Sequence, residues 1–203
     1  RMTLALTRRG VLALGLALPL AAALPAAAQD MPGVLGDIPL GAEDAPVTVI
    51  EYASMTCPHC ADFHVETFPE FRDRYVETGK VRFILREVYF DPYGLWASML
   101  ARCAGEEGFY PMVDAILKKQ DEWSRAEDPA AALQKIGRVH GLGSEAMRAC
   151  LTDQDYAEAL VADYQANADE DGIRSTPSFV IGGELHSGNM GIEELSELID
   201  AAM

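Results

Sequence analysis

The chain of 203 residues carries 16 lysines and arginines against 32 aspartates and glutamates, a net charge of −16, and four cysteines. A surface this acidic is repelled by phosphate backbones, which excludes nucleic acid as a partner. An apolar content of 49% excludes disorder over most of the length, and the size suits one large domain or one domain with an insertion.

The first thirty residues have a pattern of their own. Arg8-Arg9 precede an apolar run from Val11 to Leu24, small residues follow at Pro25-Ala26-Ala27-Ala28, and the first acid is Asp30. That order of charge, apolar stretch and small residues is that of a secretory signal. About fourteen apolar residues are short of the roughly twenty that span a bilayer, so residues 1–28 are expected to be removed. Thr7-Arg8-Arg9-Gly10-Val11-Leu12 fits the general secretory or the twin-arginine route. Loss of these residues takes away three arginines and no acid, which leaves a charge of −19. An exported chain with an even number of cysteines is free to form disulfides.

Residues 29–45 are rich in Gly, Pro and Asp and read as a lead-in with a short edge strand near Ile38-Pro39-Leu40. Val47-Thr48-Val49-Ile50-Glu51-Tyr52 then has β-branched residues on both faces, as an interior strand covered on both sides does. Glu51 is its anomaly. The carboxylate either reaches water at the strand end or is buried near the cysteines that follow, where it could relay a proton.

Cys57-Pro58-His59-Cys60 comes next. Pro58 suits the first position of a helix and Cys57 the residue before it. Three positions along a helix bring two Cβ atoms to about 5–6 Å, from which modest side-chain rotation closes a disulfide. The helix N-terminus, its unpaired N–H groups and a proton on His59 all favour thiolate at Cys57. Cys57 is therefore the expected nucleophile.

The helix is expected to run to about Thr78 through Phe68, Phe71 and Tyr75, with Pro69 kinking or interrupting it and Gly79 ending it. Val81-Arg82-Phe83-Ile84-Leu85 is a second strand, so residues 47–85 make a parallel strand–helix–strand unit. From Pro92 to Gly172 no strand is expected. Short helices are marked by Leu95, Trp96, Met99 and Cys103, by Met112 to Leu117, and by Leu133, Ile136 and Val139 after Asp128-Pro129. Two more are expected, one capped by Ser144 with Met147, Cys150 and Leu151, and one capped by Asp153 through Tyr164. Ser178-Phe179-Val180-Ile181, Gly182-Gly183 and Glu184-Leu185-His186 form a hairpin signal, and a last helix starts near Ile192.

Other chemistry is open to the same residues. Cys57, Cys60 and His64 could share a helical face and hold a metal, but structural zinc wants four protein ligands and the other histidines are distant in sequence. His64 reads better as a surface or packing residue. Attachment of c-type haem would need histidine where Ala61 stands. A purely structural disulfide at 57–60 would constrain little chain.

Val49-Ile50-Glu51-Tyr52 leading into Cys57-Pro58-His59-Cys60, with Ser175-Thr176-Pro177-Ser178-Phe179 opening a late strand, resembles the DsbA-type periplasmic thiol:disulfide oxidoreductases of bacteria. The resemblance implies an α/β thioredoxin-like fold with an inserted all-helical subdomain: residues 29–91 and 173–203 form the thioredoxin-like part and 92–172 the insertion. It implies that Cys57 forms the mixed disulfide, that Cys60 is the buried resolving thiol, and that Glu51 is the buried acid. Pro177 would be a cis-proline facing the pair, where sequence alone also permits a trans one. Thr176, Pro177 and Pro58 would meet substrate.

The implied activity is donation of the 57–60 disulfide to exported proteins with free thiols. No cofactor is implied, and reoxidation would fall to a quinone-linked membrane partner of the DsbB kind. A reductase or isomerase on the same fold, or a redox-idle peptide-binding chaperone, is the alternative. The lead-in is too short for an oligomerisation stalk, so a monomer is expected. Arg86-Glu87-Val88-Tyr89-Phe90-Asp91 departs from the proline-containing turn that many relatives have there. Cys103 and Cys150 are either two buried free thiols or a structural disulfide, and the compartment and the resemblance favour the disulfide.

Overall fold

The computed structural model describes residues 32–203; the expected signal segment 1–28 lies outside the described residues. Strand β2 (Val47–Ala53) is the centre of a five-stranded sheet in the order β1-β3-β2-β4-β5. It pairs in parallel with β3 (Val81–Glu87), from Val47 opposite Val81 to Ala53 opposite Glu87. On its other side β4 (Ser178–Ile181) runs antiparallel. The edges are β1 (Pro39–Leu40) and β5 (Glu184–Ser187). Gly182 and Gly183, with φ of 58° and 91°, make the tight turn of the β4–β5 hairpin, where both residues need the left-handed region.

Alternation along β2 divides its surroundings. Val49, Ala53, Phe83, Leu85, Phe179 and Ile181 pack on one face with Phe63, Phe68 and Phe71, while Ile50, Tyr52 and Val180 face Tyr164 and Ala168 on the other. Glu51 shares the parity of Val49 and Ala53, so it lies on the same face, with Leu85 and Phe179 as its lateral neighbours.

The helix after the cysteines is not uniform. Helix α1 (Pro58–Asp62) passes into a π-helical turn, Phe63–Thr67, then α2 (Phe68–Phe71) and a second π-turn, Arg72–Val76. Pro69 has no N–H to donate back along the helix, and the turn ahead of it widens so that the Phe68 N–H reaches the Phe63 carbonyl. The interruption expected at Pro69 therefore takes the form of flanking π-turns.

Between β3 and β4 lie α3 (Pro92–Arg102), α4 (Gly105–Lys118), α5 (Gln120–Ser124), α6 (Pro129–Val139), α7 (Ser144–Leu151) and α8 (Gln154–Glu170). Asp153 caps α8 as expected and Asp128 caps α6 at the helix start expected there, each accepting a bond from a first-turn N–H. Gly143, with extended backbone, replaces Ser144 as the residue before α7. Helix α5 is not legible in the sequence, and Val139, expected on an apolar face, is 74% exposed at the end of α6. Leu100, Phe109, Met112 and Ile116 join the same core as the sheet residues, so these helices are packed onto the strands. Helix α9 (Ile192–Ala202) closes the core through Leu195 and Ile199.

Two charged clusters tie the insertion to the sheet. Arg102 donates to both Glu87 carboxylate oxygens at 2.7 and 2.5 Å and to the carbonyls of Val34 and Gly36. Arg86 joins Asp37, the Tyr52 hydroxyl and Asp171 in a second cluster at the C-terminal end of α8. Both involve the segment that departs from a proline turn, and the departure serves to anchor the insertion.

Candidate active site

Cys57 stands where β2 ends and α1 begins, with extended backbone as the residue before the helix. Its thiol is half-buried, while Cys60, one turn further in, has no exposed surface. The loop that presents Cys57 is held from several directions. The Cys57 N–H donates to the Ser54 carbonyl, and the Thr56 hydroxyl donates to Asp91, whose carboxylate also caps α3 through the N–H groups of Tyr93 and Gly94. From α5 the buried Gln120 amide donates to the carbonyls of Met55 and Cys57, at 2.9 Å each. Asp91-Pro92 is a local helix start, but the bond from Thr56 to Asp91 and the reach of Gln120 escape sequence reasoning, because each acts across a long separation.

The Cys57 thiol is lowered from 9.0 to about 5. A hydrogen bond with the Cys60 thiol is the largest cause; partial burial opposes it; the Thr176 side chain and the backbone N–H groups of Cys60 and His59 lower it further. Cys60 is pushed far above the ordinary thiol range by its bond to Cys57, by burial and by the charge of Glu51. His59 acts on the sulfur through its backbone, whereas its exposed imidazole lies 3.5 Å from Asp62, so the imidazole effect expected from the sequence is met by a different partner.

Thr176 and Pro177 are brought to the pair from the start of β4. Their peptide bond is cis, and the Thr176 carbonyl lies 3.5 Å from Cys57 Sγ. Pro58 is exposed at the head of α1. Glu51 is fully buried, which overturns the reading in which it reaches water. His64, expected at the surface or in packing, is 1% exposed, and its Nε2 is 2.8 Å from Glu51 Oε2. His64 lies in the π-turn that begins at Phe63, four positions after the buried Cys60. In a separate apolar cluster, Cys103 at the end of α3 is bonded to Cys150 of α7 with Cα atoms 6.4 Å apart. Met99, Tyr156 and Leu160 pack around that disulfide, while Trp96, expected on the same face, is 37% exposed.

A nucleophilic thiol with a buried partner at the head of a helix that covers a mixed sheet is the arrangement of thioredoxin-fold redox proteins. The family model described as Thioredoxin matches residues 34–201, and the chain belongs to that family, in its DsbA-type branch. Among solved structures it is similar to α-DsbA1 of Wolbachia pipientis, 30% identical with a TM-score of 0.77, over 83% of this chain and 92% of that one. BdbD of Bacillus subtilis shares the fold at a TM-score of 0.74 and 20% identity, over 82% of this chain and 92% of that one. A Rickettsia bellii relative named as a protein-disulfide oxidoreductase is 37% identical over 168 residues, 82% of this chain and 64% of its own length. The chain spans 60–64% of the length of the Rickettsia relatives it matches.

Proposed function

We propose that this chain is a periplasmic dithiol oxidase that passes its Cys57–Cys60 disulfide to exported proteins. The observation that carries the reading is the Cys57 thiol held at about 5. A stabilised thiolate stabilises the reduced protein, so the disulfide is a strong oxidant and a good acceptor of thiolates. A substrate thiolate attacks Cys57 Sγ, the Cys57–Cys60 bond breaks, and its electron pair goes to Cys60, which takes a proton relayed by Glu51. A second substrate thiolate then attacks the substrate sulfur of the mixed disulfide and expels Cys57 as thiolate. The sulfurs carry both electrons and no cofactor enters.

Thr176, Pro177 and Pro58 receive the extended substrate segment. The likeness to DsbA proteins supports a quinone-linked membrane protein of the DsbB kind as reoxidant, and the signal-like order of residues in 1–28 supports the compartment. Among the described residues no helix is long and apolar enough to cross a membrane.

Redox equilibrium with glutathione tests the direction. An oxidase has a potential between about −180 and −120 mV and oxidises a reduced unfolded test protein; a potential near −270 mV marks a reductase. A pair that resists reduction altogether marks a redox-idle chaperone. Fractionation of cells producing the full chain tests the compartment.

A further inference from the structure

Glu51 and His64 form a buried pair with loose ends. Their side chains are 0% and 1% exposed and meet through Oε2 and Nε2, yet Glu51 Oε1 and His64 Nδ1 are both buried with no hydrogen-bond partner. A pair kept only for stability would have those atoms satisfied, since each orphaned buried polar group costs about 1–3 kcal/mol. Here the two orphans are the two ends of a chain of four polar atoms, Nδ1, Nε2, Oε2 and Oε1.

The surroundings restrict what this chain can serve. His64 stacks on Phe68 at 4.6 Å between ring centres and meets Phe63 edge-on. Glu51 is flanked across the sheet by Leu85 and Phe179. Besides His64, its charge acts on Cys60 of α1 and on Tyr110 of α4, and the Tyr110 hydroxyl is already committed to the Ile38 carbonyl at 2.7 Å. Cys60 is the group left for the pair to serve.

We infer that His64 is the proton store of the site: it supplies, through Glu51, the proton that Cys60 needs when the disulfide opens. This rests on the reading of Cys57–Cys60 as a working redox pair. When a thiolate bonds to Cys57 Sγ, the electron pair of the broken S–S bond leaves on Cys60, which is fully buried and retains a proton strongly. Glu51, a carboxylate paired with the His64 imidazolium, takes the proton from His64 Nε2 and passes one on to Cys60 Sγ. The imidazolium becomes neutral imidazole, Glu51 ends as carboxylate, and the buried charge is unchanged overall. Reoxidation runs the transfer backwards. His64 never touches a sulfur, so it is a positioning and proton-holding residue.

Stopped-flow reduction of the oxidised full chain by dithiothreitol, followed across pH, tests this. His64→Phe, which keeps a ring between Phe63 and Phe68, is expected to slow opening about 100-fold near pH 7 and to flatten the pH profile. Glu51→Gln should do the same, with the double variant no slower than either single one. In the wild type, ¹⁵N resonances should show His64 as imidazolium in the oxidised protein and as neutral imidazole in the reduced one. Opening within about twofold of wild type in His64→Phe, or one charge state of His64 in both redox forms, overturns the inference. The ¹⁵N measurement needs no variant and decides the matter if His64→Phe does not fold. Dithiothreitol asks only that the disulfide open, so failure as an oxidase of proteins and failure of the proton store are separate results.

Discussion

Replacing Cys60 by alanine removes the group that contributes most to the acidity of Cys57. The Cys57 thiol lies at about 5 against 9.0, and the Cys60 thiol heads the causes. A hydrogen bond to a charged acceptor contributes about 1.5–3 kcal/mol, roughly 1–2 pH units at 1.36 kcal/mol per unit. Because Cys57 is half-exposed to water, screening favours the lower end of that range. The midpoint is therefore expected to rise to about 6–7 in Cys60→Ala.

The linkage has a definite sign. A folded-state value below the unfolded one adds stability to the reduced form as pH rises from about 5 towards 9.0, and that stability is lost as pH falls through about 5. Near pH 7 the gain is roughly 1–2 kcal/mol after screening, and the oxidised form lacks it. Thiolate absorbance near 240 nm measures both midpoints, and in the wild type Cys60 does not interfere, because it titrates far above Cys57. A wild-type midpoint near 8.5 refutes the activated thiol, and an unmoved midpoint in Cys60→Ala refutes the part given to Cys60.

Three further outcomes follow from the packing. Arg102→Ala leaves the Glu87 carboxylate buried and unpaired and should cost about 3–5 kcal/mol in urea unfolding, part of which Glu87→Gln recovers in the double variant. Gln120→Met keeps the side-chain volume but withdraws two donors from the Met55 and Cys57 carbonyls, so a loss of about 1–3 kcal/mol and slower turnover are expected. Cys103→Ser with Cys150→Ser reopens a loop of sequence separation 47 and should lower stability by up to about 4 kcal/mol on the chain-entropy model. Redox turnover at 57–60 should survive that change, and mild reductant should label Cys57 and Cys60 while Cys103 and Cys150 stay linked.

The sequence by itself determined what depends on near neighbours. The strand from Val47, the proline-led helix carrying Cys57 and Cys60, the Asp128 and Asp153 caps and the double-glycine hairpin all follow from spacing, propensity and turn chemistry over a few residues. Parity placed Glu51 on one face of β2, and only the tertiary structure decided that this face is sealed and that the partner is His64, thirteen positions away. Helical spacing sets His64 on the face of Cys60, but which strand residue lies opposite that face is decided only when the helix packs on the sheet. Gln120 reaches the Cys57 loop from 63 residues away, out of a helix of one turn that carries no periodic signal. Arg102 and Glu87 are ordinary surface residues in composition, and they become a buried pair only because the insertion folds back onto the strands. Side-chain chemistry and local backbone preference are written along the chain, whereas burial and partnership between distant residues exist only once the core has closed.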